Sequence, residues 1–138
     1  MSDIKNIFDI TGRAMSSQLV RLNTIASNLA NVGSLTGSRD EAYRAIRPVF
    51  ETNYSSQFKK DGVATTDIAD IVKLDREPEA IYMPDHPKSD ENGFVYVAAV
   101  SPEEEMVDMM ETNRQYQNNV EVITTTKALM MQTLNLGK

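Results

Sequence analysis

The fold of this chain is decided by residues 101–134, which read SPEEEMVDMMETNRQYQNNVEVITTTKALMMQTL. The stretch opens with a marked helix start, because Ser101 can act as the cap and Pro102 suits the first helical position. Glu104 completes a Ser-x-x-Glu capping box, and the run of three glutamates matches the positive end of the helix dipole. The pattern predicts a helix of about 50 Å over residues 102–137.

A second helix is predicted at the opposite end of the chain, over residues 3–32, followed by Gly33 as a left-handed C-cap. In both helices, apolar or small residues recur in alternating steps of three and four, the heptad pattern of helices that pack along a narrow seam. The first seam is Phe8, Gly12, Met15, Leu19, Leu22, Ala26 and Leu29. The second is Met106, Met109, Asn113, Tyr116, Val120, Ile123, Lys127, Met130 and Leu134. The prediction is a coiled-coil pair of terminal helices whose seams form an assembly interface.

Three features of these helices bear on how they pack. Asn113 and Lys127 are polar at seam positions, and we interpret them as selecting one register, since a polar group at a core position penalises wrong pairings. Gly12 lies within the first helix, which indicates either close approach of another backbone or a tolerated weak point. Further apolar residues lie off the seams and could face other subunits: Ile4, Ile7, Ile25, Val107, Met110, Val122, Leu129, Met131 and Leu136.

Between the helices, residues 34–101 have the composition of strands and turns. Four β-favouring runs are predicted, at residues 43–54, 63–74, 80–83 and 94–100. The last run follows Asn92-Gly93, a strong tight-turn signal, and three prolines keep the preceding region from continuing as helix. Residues 55–62 are predicted to be a flexible loop. The expected fold is α+β, with residues 1–33 and 102–138 as a helical core domain and residues 34–101 as a β-rich insert.

Charge and composition exclude several classes of function. The formal net charge is −6, divided as five basic against four acidic residues over 1–44, six against ten over 45–102, and three against six over 103–138. Because no segment is basic enough to follow a phosphate backbone or an anionic membrane, neither nucleic acid nor membrane insertion is expected. The chain has no Cys, which removes thiolate nucleophiles and Cys-based metal sites. No apolar run approaches the roughly 18 residues of a membrane span.

Signals for catalysis are nearly absent. There is no Gly-rich phosphate loop and no His-Glu-x-x-His helix, and His86 is the only histidine. His86 lies in Pro84-Asp-His-Pro87, which is typical of a turn, and Glu103–Glu105 are typical of helix-dipole compensation. We therefore predict no enzyme activity, no catalytic residue, no metal and no cofactor. A small hydrolase that uses carboxylates remains as an alternative.

The two ends of the chain carry motifs that resemble those of the flagellar rod and hook axial proteins. Ala26-Ser-Asn-Leu-Ala-Asn-Val32 resembles the signature that ends the N-terminal helix of that family, and this resemblance adds Asn28 and Asn31 to the expected interface. Residues 105–122 and the terminal Leu134-Asn-Leu-Gly137 resemble the C-terminal signature. The short middle segment is similar to that of the proximal rod members.

The resemblance implies a structural subunit of the bacterial flagellar basal body. Such a protein would leave the cytoplasm through the flagellar type III export apparatus without a cleaved signal peptide. It would then polymerise through its terminal helices into the periplasm-spanning rod, the drive shaft of motility. The implied partners are copies of itself and the rod proteins FlgB, FlgF, FlgG and FliE. Another axial component, of rod or hook type, is the alternative within the family.

Overall fold

Two long helices occupy the ends of the chain and lie against each other in the computed structural model, which describes residues 2–53 and 65–137. Helix α1 spans Ser2–Ala30 and helix α2 spans Pro102–Leu136. The C-terminal end of α1 lies beside the N-terminal end of α2, so the pair is antiparallel. The predicted α+β fold, with terminal helices in contact and a β region between them, is confirmed.

The helix ends follow the chemistry of their caps. The side chain of Ser101 accepts a hydrogen bond from the Glu104 amide, as the capping box predicts, while the Glu104 carboxylate pairs with Arg76 at 2.7 Å. Beyond α1, Gly33 has φ +72°, the left-handed conformation expected of a glycine after a helix. α1 ends at Ala30, two residues before the predicted end.

Within residues 2–53 and 65–137, five strands form two small antiparallel sheets. β1 (Leu35–Thr36), β5 (Phe94–Val97) and β4 (Glu79–Tyr82) lie side by side in that order. β2 (Ile46–Asn53) pairs with β3 (Thr65–Lys73) as a separate two-stranded ribbon, with a bulge between Val49 and Phe50. Each of the four predicted strand runs overlaps an observed strand. The sequence does not predict β1, because two residues are too few to show an alternating pattern.

The apolar core is small and lies where the ribbon, the three-stranded sheet and the helix ends meet. Its members are Ile25, Ala42, Ala45, Val95 and Ala98. Gly93 has φ +81° in the turn before β5, as the Asn-Gly signal predicts. His86 also lies in a turn, where its Nδ1 accepts a hydrogen bond from the Lys88 amide at 3.1 Å. The loop predicted at residues 55–62 lies outside the described residues.

Candidate assembly interface

The contact between α1 and α2 includes polar pairs between residues 18–28 of α1 and 105–115 of α2. Gln18 Nε2 donates to Gln115 Oε1 at 2.8 Å, and Arg21 pairs with Asp108 in a half-buried contact. Thr112 is fully buried on the inner face of α2, where its hydroxyl donates to the Asp108 carbonyl at 2.6 Å. The Gln18–Gln115 and Arg21–Asp108 pairs therefore link the two helices at two levels, beside the half-buried part of the apolar seam that the sequences predict.

Asn28 joins three elements at the end of α1. Its side chain is completely buried, and its amide nitrogen donates to the carbonyl of Ile46 at 2.9 Å and to Glu105 Oε2 at 3.0 Å. Its amide oxygen accepts from the Ile46 N–H at 2.9 Å and from the hydroxyl of Tyr43 at 3.0 Å. All four hydrogen-bonding positions of the side chain are thus used. The Asn28 side-chain amide therefore bonds both the N–H and the carbonyl of Ile46, as the backbone of a neighbouring strand would at the start of β2.

A bidentate ion pair links the start of β2 to the first turn of α2. Arg47 Nη1 lies 2.8 Å from Glu105 Oε2 and Arg47 Nη2 lies 2.6 Å from Glu105 Oε1. The Glu105 side chain is 1% exposed and that of Arg47 is 24% exposed. Arg47 also lies 4.0 Å from Asp108, which itself pairs with Arg21. Two arginines therefore balance two carboxylates, so that the buried network carries no net charge.

The network changes the protonation of its members in ways that follow from this geometry. The hydrogen bonds that Arg47 donates to Glu105, which outweigh the effect of burial, raise the pKa of Arg47 above its ordinary value. Burial, with the nearby negative charge of Glu105, raises the pKa of Tyr43 above its ordinary value of 10.0. Arg47 thus stays charged, and Tyr43 stays neutral and able to donate to Asn28.

The outward surface of α2 exposes many large apolar side chains among polar ones. Its exposed large side chains include Met110 at 71%, Val107 at 67% and Leu136 at 82%. The others are Met106, Val120, Val122, Leu129, Met131 and Leu134. On α1, Ile7 and Leu19 are also exposed. Large apolar side chains that stay exposed on the helix pair leave part of its hydrophobic free energy available for contacts with other chains.

The predicted seams divide into two sets. Every second seam position is half-buried beside the other helix: Phe8, Met15, Leu22, Leu29, Met109, Tyr116, Ile123 and Met130. The alternate positions are exposed: Gly12, Leu19, Ala26, Met106, Asn113, Val120, Lys127 and Leu134. For every member of that second set except Leu134, the residue one position earlier is buried or half-buried, as Gln18 and Thr112 are. Whether the exposed set forms an interface with other subunits stays a prediction.

Three interpretations made from the sequence are wrong within this chain. Asn113 and Lys127 are exposed, so they do not select the register between α1 and α2. Polar pairs such as Gln18–Gln115 lie across that contact instead. No described atom lies within 4 Å of a Cβ placed on Gly12, so no backbone of the same chain approaches it closely. Ile25 is 0% exposed and belongs to the core, because the inner face of α1 lies one position away from the predicted seam.

The structure also places the remaining residues that were predicted to lie on the surface or at the interface. Val107, Met110, Val122, Leu129, Met131 and Leu136 are exposed, as expected, and the side chain of Ile4 lies outside those described. Asn31 is half-buried and donates to the Ser27 carbonyl at 2.8 Å within its own helix.

Four charged residues of the network were missed by sequence reasoning: Arg21, Arg47, Glu105 and Asp108. Glu105 was assigned to helix-dipole compensation with its two neighbours, since nothing in a run of three glutamates indicates which one is buried. The heptad spacing offered a signal for three of them, because Arg21 and Asp108 lie beside seam positions and Glu105 precedes Met106. Apolar residues usually form the contact between paired helices, so the sequence pattern favours the seam residues over these charged neighbours.

Comparison with known proteins gives two family matches at the two helical ends. Residues 8–33 match the model described as flagella basal body rod protein. Residues 91–136 match the model described as flagellar basal body rod FlgEFG protein, C-terminal. The flagellar basal-body rod protein FlgC of Escherichia coli O157:H7 is 41% identical over 133 residues, which cover 96% of this chain and 97% of that protein. The chain belongs to the FlgC family of flagellar basal-body rod proteins.

Other FlgC relatives extend the match across distant bacteria. The protein of Salmonella typhimurium is 40% identical and covers 96% of this chain and 97% of its own length. That of Aquifex aeolicus is 33% identical over the whole of both chains. The rod family is structural and non-enzymatic, so the chain is a structural subunit of the basal-body rod and the hydrolase alternative is set aside. Within residues 2–53 and 65–137, no helix has the length and apolarity needed to span a membrane.

Proposed function

We propose that this rod subunit polymerises by covering the outward apolar faces of α1 and α2 with the helices of neighbouring subunits. The observation that carries the proposal is that α2 leaves many large apolar side chains exposed, such as Val107, Met110 and Leu134, while its buried residues are Glu105 and Thr112. Complete burial of a fully exposed large apolar side chain contributes about 1.5–3 kcal/mol, so each of these partly exposed side chains would contribute a fraction of that on assembly. Assembly therefore gains the hydrophobic burial that the isolated chain leaves unused.

The composition of the outward face suits a helical assembly with non-equivalent neighbours. Methionine adapts to irregular contacts, and Met106, Met110 and Met131 lie on that face. Contacts between different surfaces of identical subunits do not close on themselves, and so they extend as helical tubes. The two helical segments of residues 1–33 and 102–138 would form the inner, assembling domain, with residues 34–101 as an insert outside it.

The finer assignments follow from membership of the rod family. In this proposal the partners are copies of the same chain and the rod proteins FlgB, FlgF, FlgG and FliE. The subunit is exported by the flagellar type III apparatus without a cleaved signal peptide, and the finished rod crosses the periplasm as a drive shaft. The seam residues that are exposed in the isolated chain are the expected contacts between subunits.

Substitution of the outward face tests the proposal. Met106→Gln and Leu134→Gln replace side chains that are both 56% exposed with a polar residue that favours helix. We expect each to leave the free energy of unfolding within about 0.5 kcal/mol of the unchanged chain, since exposed positions contribute little to stability. Incorporation into isolated basal bodies, and swimming of a strain that carries only the variant, should be lost.

Met83→Gln is the matched control, because Met83 is 40% exposed but follows β4, away from both helices. This variant should enter the rod normally. The proposal fails if both helix variants are incorporated as well as Met83→Gln is.

A further inference from the structure

The ribbon of β2 and β3 is held to the helix pair at one end. At the start of β2, the backbone of Ile46 is bound by Asn28 of α1, and the next side chain, Arg47, is bound by Glu105 of α2. Both helices therefore hold the ribbon within two consecutive residues. The pairing of Arg47 with Glu105 joins positions 58 residues apart in the sequence.

Farther along, the ribbon makes weaker contacts with α1. Ser17 Oγ lies 3.3 Å from the Thr66 carbonyl oxygen, a long hydrogen bond. Arg13 lies 3.3 Å from Asp67, with side chains that are 46% and 37% exposed, and pairs of this kind contribute about 0–1 kcal/mol. The ribbon also leaves a large part of its apolar surface uncovered, since the exposed residues include Val49, Phe50, Ile71 and Val72. Apolar packing on the helices thus supplies only part of what orients it.

The ion pair at the anchored end has the geometry to set a direction. A guanidinium and a carboxylate that share two parallel hydrogen bonds lie in one plane, which restricts rotation as well as distance. Glu105 is 1% exposed, so water competes little for either oxygen. Asn28 donates to the same Oε2 atom at 3.0 Å and limits the rotation of the carboxylate. The plane of the pair is therefore fixed with respect to both helices.

We infer that Arg47 and Glu105 are positioning residues, which set the angle at which the β2–β3 ribbon lies against the helix pair. The angle determines how the subunit presents its β part to neighbouring chains, a consequence that rests on the proposed function. The angle itself does not depend on assembly, because every contact involved lies within one chain.

Spin-label distances in the dilute, full-length chain test this inference. The sequence has no Cys, so Glu51→Cys on β2 and Gln132→Cys on α2 place one label on each body, and both positions are exposed. The labelled chain that keeps Arg47 and Glu105 should give one narrow distribution of label–label distances by double electron–electron resonance. Glu105→Gln should broaden and shift that distribution, because a neutral amide cannot accept both bonds from Arg47.

Two further variants separate position from stability. Arg47→Lys keeps the charge but removes the planar fork, so the distribution should broaden even where the unfolding midpoint is largely retained. Exchange of the two residues, Arg47→Glu with Glu105→Arg, restores a bidentate pair and should narrow the distribution again compared with either single reversal. This recovery distinguishes a positioning role from a general loss of stability.

The control is Arg76→Gln, which breaks the neighbouring pair of Arg76 with Glu104, at 2.7 Å and about half-exposed. It should leave the distances unchanged. An unaltered distribution in Arg47→Lys, or equal broadening in Arg76→Gln, would overturn the inference. Neither result bears on polymerisation, which is tested separately by Met106→Gln and Leu134→Gln.

Discussion

Replacement of Asn28 by alanine should be among the most destabilising single changes in this chain. The side chain is 0% exposed and makes four hydrogen bonds, two of them to the backbone of Ile46. After truncation, Glu105 Oε2 still accepts from Arg47 at 2.8 Å, whereas the Ile46 N–H and carbonyl lose these partners. At about 1 kcal/mol for each hydrogen bond, and more for a buried group left unpaired, the expected loss is about 3–4 kcal/mol.

Equilibrium unfolding in urea, followed by far-ultraviolet circular dichroism, measures this loss. Asn31→Ala is the matched control: Asn31 lies three positions further along the same motif, but its hydrogen bond to Ser27 is solvent-exposed. This variant should change the free energy of unfolding by no more than about 0.5 kcal/mol. Asn28→Asp should destabilise at least as much as alanine, because it places a second carboxylate beside Glu105 Oε2. The reasoning is refuted if Asn28→Ala costs less than about 1 kcal/mol, or no more than Asn31→Ala.

Three further predictions concern the turns, a titration and a cap. Gly33→Ala should cost about 1 kcal/mol, since φ is +72° but its Cβ would meet nothing within 4 Å. Gly93→Ala should lower the free energy of unfolding clearly more in the same assay, because φ is +81° and the new Cβ would also lie 2.9 Å from a ring carbon of Tyr82. Equal losses of stability in the two variants would contradict this. Tyr43→Phe should lower stability at pH 8 by about 1 kcal/mol through the lost hydrogen bond. Because the pKa of Tyr43 is raised in the folded chain, the protonated hydroxyl stabilises the fold below pH 10.0, and this contribution is lost at higher pH. The difference in the free energy of unfolding between the unchanged chain and Tyr43→Phe should therefore narrow at higher pH. A constant difference would count against the mechanism. Ser101→Ala should lower the free energy of unfolding by about 1 kcal/mol. Ser101→Asp should keep the stability of the unchanged chain, because aspartate also accepts a hydrogen bond at the helix N-terminus. A loss of stability in Ser101→Asp equal to that in Ser101→Ala would argue against capping.

Much of the architecture was predictable because it depends on local chemistry. The cap at Ser101, the left-handed Gly33 and the Asn92-Gly93 turn each act over a few residues, so their signals survive in the sequence alone. The repeat of apolar residues in steps of three and four predicted two long helices, and the motif at residues 26–32 indicated the rod family. These features fix where elements begin and end, and which family the chain belongs to.

The packing between the elements was decided by tertiary structure. Periodicity identifies a stripe on a helix but not which chain covers it, and here half of the predicted seam faces outward while polar neighbours such as Gln18 and Thr112 face inward. The burial of Glu105 depends on Arg47 and Asn28, which lie 58 and 77 residues away along the chain. A carboxylate is stable inside a protein only when such partners surround it, and no local pattern records where distant partners will lie.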